Sequence, residues 1–127
     1  MAVEGLLTDE WLERCNEALA GLEGPTGGPI VLTERVTGTA PPQHHAVTLL
    51  ADEDGVRLVA GGHEGAAATI TLSVADALAL QSGELSPSGA LSSGRVRVRG
   101  DLRAVIEGVA LLARAHELLR ARHEGRG

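Results

Sequence analysis

The sequence predicts an α+β domain: a mixed, mainly antiparallel five-stranded sheet, covered on one face by helices and enclosing an apolar cavity. Three observations lead there. The hydrophobic period changes from helical to alternating near residue 30 and returns to helical near residue 73. Strand-like segments are grouped together instead of alternating one by one with helices. Those segments carry apolar residues on one face and polar residues on the other, as in a sheet with one wet side. At 127 residues the chain fits a single domain, residues 1–127, with its core over roughly 8–122.

Thr8, Asp9 and Glu10 open the first helix: a capping hydroxyl, then acids at the positive end of the dipole. Trp11, Leu12, Cys15, Ala18, Leu19 and Leu22 follow at helical spacing, and Gly21 to Gly24 end the segment. A Gly/Pro loop leads to a strand from Ile30 to Thr37, closed by a turn at residues 38–42. Glu34 falls on the same face as Ile30, Leu32 and Val36, which a bulge or an edge position explains more cheaply than a buried acid. The next strand runs from about His45 to Ala51, with Val47, Leu49 and Ala51 on one face. Asp54-Gly55 marks a hairpin, beyond which Val56, Leu58 and Ala60 resume that face. After a glycine loop, Ala68, Ile70 and Leu72 alternate with Thr69 and Thr71. An antiparallel meander is the expected pairing for these four strands.

Ser73 with Asp76 forms a capping-box variant that opens a short helix through Leu80, ended by Gly83. Ser86-Pro87 starts another, stopped by Gly94. Arg95 to Arg99 reads as a short strand with Val96 and Val98 inward and the three arginines outward. Gly100 permits a tight turn, and Asp101 caps a long helix running to about Arg122. Its apolar stripe is Leu102, Val105, Ile106, Val109, Leu112 and Leu119; Glu124 to Gly127 are expected to fray.

Composition narrows the function. A hydrophobic share of 43% excludes a disordered chain, and a net charge of −6 argues against a nucleic-acid partner. There is no Phe or Tyr, and Trp11 is the single tryptophan, so base-stacking platforms and aromatic cages are excluded. All 11 basic residues are arginine, a codon-supply bias that fits a GC-rich bacterial genome. Charge is uneven: residues 95–127 hold eight arginines against four acids, while residues 1–94 hold three against thirteen. Cys15 is the lone cysteine and packs at helical spacing as a small hydrophobe. The opening residues lack the basic and apolar parts of a signal peptide, and no apolar run is long enough to span a membrane, so a cytoplasmic location is expected.

No catalytic or metal set emerges. His44 and His45 are adjacent, so in a strand their rings diverge; His63 lies in a glycine loop; His116 interrupts the last helix's stripe, at an interface or near its C-terminal dipole. Metalloprotease, nucleophile-elbow and phosphate-loop motifs are missing.

The stretch Gly89-Ala90-Leu91-Ser92-Ser93-Gly94-Arg95-Val96-Arg97-Val98-Arg99-Gly100-Asp101-Leu102 resembles the signature of the sterol carrier protein family. There a short helix ends at glycine, a basic alternating strand follows, and Gly-Asp opens the last helix. The likeness continues through Leu80-Gln81-Ser82-Gly83-Glu84-Leu85, the hairpin at Asp54-Gly55 and the early helix around Trp11. In element order it covers roughly residues 9 to 110, and it is motif-like over 80–102. The resemblance implies an α/β domain enclosing an apolar cavity or tunnel for sterols, fatty acids or acyl-CoA, without catalysis. Two features depart from the family: the cavity would lack aromatic residues, and the last helix is long.

The expected function is non-enzymatic binding or transfer of a hydrophobic small molecule, a fatty acyl chain or sterol-like lipid, with no cofactor and no metal. By facing, the cavity candidates are Leu49, Leu58, Leu72, Leu78, Leu91, Val98, Leu102 and Ile106. The basic stripe Arg95, Arg97 and Arg99 is suited to an anionic head group. Leu111 and Leu118 form a second apolar row on the last helix, which suggests a homodimer through residues 105–120. The alternative is an interaction module of the same fold with no open cavity.

Overall fold

A computed structural model of the chain describes residues 6–125, with side chains to Arg122. The element order is α1 (Asp9–Leu19), β1 (Ile30–Thr37), β2 (Ala46–Asp52), β3 (Gly55–Ala60), β4 (Ala68–Ser73), α2 (Val74–Ser82), α3 (Pro87–Ser92), β5 (Arg97–Gly100) and α4 (Leu102–Gly125). The anticipated caps form. Thr8 accepts from the amide of Trp11, Ser73 from Asp76 and Ser86 from Gly89, each relieving an unpaired donor of a first helical turn. Of the expected fraying at Glu124–Gly127, the last two residues lie outside the described ones; the α4 backbone is helical through Gly125.

The sheet order is β3-β2-β1-β4-β5. β1, β2 and β3 are a meander, but β4 does not continue it: it returns to the far side of β1 and pairs parallel there. Only three of the four strands expected in the meander form one. The loop from residue 61 crosses over the sheet, held by the Thr48 hydroxyl on the Gly61 carbonyl (2.8 Å) and by the Ala67 amide on the Val31 carbonyl (2.9 Å). This placement makes β1 the central strand, which explains why four of its five first residues are buried.

Register divides the residues cleanly. Ile30, Leu32, Glu34 and Val36 of β1 share a face with Val47, Leu49 and Ala51, with Val56 and Leu58, and with Ala68, Ile70 and Leu72. That face takes the helices. α4 approaches β1 closely at Gly108, where an added Cβ would stand 2.6 Å from Leu32 Cδ2. Asn16 of α1 clips the helix to edge strand β3, donating to the Leu58 carbonyl (2.9 Å) and accepting from its amide (2.7 Å). The other face carries Thr33 and Thr48, whose hydroxyls meet at 2.9 Å, together with Arg35, Arg57, Arg97 and Arg99.

Candidate functional site

The candidate site is the aliphatic layer between the covered face and the helices. Leu49 and Leu58 lie opposite each other in the β2–β3 register and are fully buried. Leu72 is buried beside Val36, while Leu78 of α2 and Leu91 of α3 are half-buried against the same core. Val98, Leu102 and Ile106 are not enclosed: they are 43%, 66% and 56% exposed. The inward assignment of these three therefore needs correction. Val98 does point to the covered side, since it pairs with buried Ile70, but β5 is the edge strand, and there the side chain stays partly open to solvent. Leu102 and Ile106 are one turn apart on α4, on its outer side; the buried stripe is Ala104, Val105, Val109, Leu112 and Ala115. Of the eight candidates, five thus lie in or against the core and three are exposed.

Glu34 also departs from expectation. It occupies neither a bulge nor an edge: it pairs in register with Val47 and Ile70 in the middle of the central strand and is 5% exposed. Burial raises its carboxyl to about pKa 7. Alternation alone puts this residue inward; the cost of burying an acid is what argues against that placement. Cys15 on α1 is near enough to feel its charge, and burial holds that thiol protonated, with a pKa of about 12.

A second polar group sits under the helices. Trp11 Nε1 donates to Gln81 Oε1 at 2.8 Å, tying α1 to α2, and the His116 ring lies 6.3 Å from that of Trp11. His116 is 5% exposed, and burial, then Arg120, lowers its pKa to about 4, so it is neutral. It neither projects to a surface nor acts as a charged partner of the helix dipole, contrary to the sequence reading. Leu111 and Leu118, the supposed second row, pack against the core of their own chain.

Arg97 and Arg99 project from the face opposite the helices, across from Thr71 and Thr69, and Arg95 approaches Asp76 at 3.9 Å. Among the described residues no three His, Cys, Asp or Glu side chains gather to hold a metal, and no helix is long and apolar enough to cross a membrane. A surface depression of about 630 Å³ between the end of α1 and the β2–β3 turn is edged by Glu23, Glu53 and Asp54 and includes none of the eight candidates.

No curated protein sequence matches the chain. Several solved structures share its fold. A protein described as UbiJ-SCP2, a ubiquinone synthesis protein, superposes with a TM-score of 0.56 at 21% identity, over 85% of this chain and 89% of that one. Sterol carrier protein 2 like 2 from Aedes aegypti gives 0.55 at 19%, over 87% and 95%. An inverting sec-alkylsulfatase from Pseudomonas sp. gives 0.51 at 15%, over 76% of this chain but 14% of that one. The sequence itself matches the model of the SCP-2 sterol transfer family over residues 16–113, and on that match the chain belongs to the SCP-2 sterol transfer family, whose general property is lipid binding or transfer.

Proposed function

We propose that this chain binds and carries a hydrophobic small molecule, a fatty acyl chain, acyl-CoA or sterol-like lipid, between its sheet and helices, without turning it over. The observation that supports this is the aliphatic cluster that joins Leu49, Leu58 and Leu72 between the sheet and the helices, with Leu78 and Leu91 packed against it. Such a layer binds by removing apolar area from water, about 25 cal/mol per Å², and needs few polar groups to orient a head. A palmitated SCP2L2 from Aedes aegypti with the same fold, at 21% identity, supports an acyl chain as one occupant. The rival reading, an interaction or dimerisation module of the same fold with no open cavity, is less favoured, since Leu111 and Leu118 pack partly buried against the core of their own chain.

Titration with a fluorescent fatty acid, and competition by acyl-CoA and a sterol, tests the carrier reading. Saturable binding is expected; none across the three classes ends it. Leu91→Arg, which puts a charge beside the core, is expected to weaken binding at least tenfold in a protein that still folds. An unchanged dissociation constant in that variant would move the ligand away from α3.

A further inference from the structure

A lateral row of side chains crosses the covered face: Val47 on β2, Glu34 on β1, Ile70 on β4 and Val98 on β5. Strands stand about 4.8 Å apart, so Glu34 lies about 10 Å in from the open edge at Val98. The carboxyl is 95% buried and has neither a hydrogen-bond nor an ion-pair partner among the described residues. Yet none of the described buried side-chain nitrogens or oxygens is both sealed from solvent and unpartnered. The Glu34 oxygens therefore still meet space that a water-sized group can enter. An acid in this position, in an otherwise aliphatic row, contributes nothing to the core that valine or leucine would not supply better.

We propose that Glu34 is the head-group residue of the layer, hydrogen-bonding the hydroxyl of an uncharged alcohol whose apolar body runs past Ile70 toward Val98 at the sheet edge. This rests on the lipid-binding reading and narrows it. A hydroxyl suits the carboxyl in either protonation state, accepting a proton bond from the acid or giving one to the carboxylate. A fatty-acid carboxylate suits it only while Glu34 keeps its proton. Once Glu34 ionises, two like charges would face each other out of water, with no cation beside them. No cation acts on it, since burial alone shifts its carboxyl; Val47 and Ile70 flank it in register, and Cys15 of α1, close enough to feel its charge, is a protonated thiol. Glu34 thus acts as a specificity residue that admits alcohols at all pH values and excludes anionic chains above neutrality.

Equilibrium dialysis with radiolabelled 1-hexadecanol and palmitate at pH 6 and 8.5, on the wild type and Glu34→Gln, tests it. In the wild type the palmitate dissociation constant is expected to rise about tenfold or more from pH 6 to pH 8.5, with hexadecanol nearly unchanged. In Glu34→Gln the palmitate dependence should disappear. Palmitate binding that is indifferent to both pH and the substitution overturns the assignment and leaves lipid binding standing. Failure of both probes to bind the wild type overturns both. Should Glu34→Gln not fold, carboxyl-labelled glutamate in the wild type gives a second readout. The one resonance titrating near pH 7 must move on saturation with hexadecanol, and a stationary resonance overturns the proposal.

Discussion

Glu34 and His116 are both buried to 95%, and burial pushes their protonation in opposite directions. Folded Glu34 holds its proton to about pH 7, against 4.5 for the ordinary group. Its contribution to stability is complete below pH 4.5 and is lost as pH rises through 7. Folded His116 stays neutral down to about pH 4, against an ordinary 6.5, so its contribution is complete above pH 6.5 and is lost as pH falls through 4. Between about pH 4.5 and 6.5 the two slopes offset each other. Glu34→Gln should therefore gain stability relative to the wild type as pH rises from 4.5 to 7, by about 3 kcal/mol over the window. His116→Gln should show the reverse trend from pH 4 to 6.5. Urea unfolding at several pH values decides; curves that stay parallel to the wild type would contradict the two burials. Cys15, with its thiol held near pKa 12, is expected to resist iodoacetamide in the folded chain and react only on unfolding, which mass spectrometry reads directly.

At the scale of elements, α4 is set by two glycines. Gly100, at φ +97°, ends β5 where a Cβ would strike the Ala67 carbonyl at 2.4 Å, and that carbonyl accepts the Asp101 amide (2.9 Å) that starts the helix. Gly108 lets α4 down onto Leu32. Gly108→Val is expected to lower stability by about 1–3 kcal/mol through overpacking. Ile106→Gln, two residues away on the outer side, should stay within about 0.5 kcal/mol. Thermal melts separate them, and similar losses for both would mean that Ile106 is covered in solution. The helix starts were legible in Thr8, Ser73 and Ser86 because a cap is a local contact between neighbouring residues. The inner side of α4 was only half legible. Periodicity grouped Val105, Val109 and Leu112 correctly, but it admitted Leu102 and Ile106 because it says nothing about where the sheet beneath the helix ends.

For the whole molecule, the return of β4 to the side of β1 is the feature that residues alone did not show. Ala68, Ile70 and Leu72 alternate equally well whether they pair with β3 or with β1, so the choice is made by tertiary contacts. That choice put Glu34 at the centre of the sheet and left β5 at its rim. The fold class and the aliphatic layer, by contrast, followed from the change of period near residue 30 and from a chain whose only large aromatic is Trp11. A carrier of this size also has a predicted signature in solution: saturation with a ligand held in the layer should raise the unfolding midpoint with the logarithm of ligand concentration. A midpoint indifferent to a saturating lipid would place that lipid outside the fold.

β5 has a further consequence. It is four residues long, lies at the rim, and sets the exposed Arg97 and Arg99 on either side of Val98. A sheet edge with open amide and carbonyl groups beside an exposed valine is a template for a strand from another chain. A short strand offers few rungs, and a second β5 laid alongside would bring guanidinium groups together on one face. The arginines that look suited to a head group therefore also work against edge-to-edge pairing of copies at this strand.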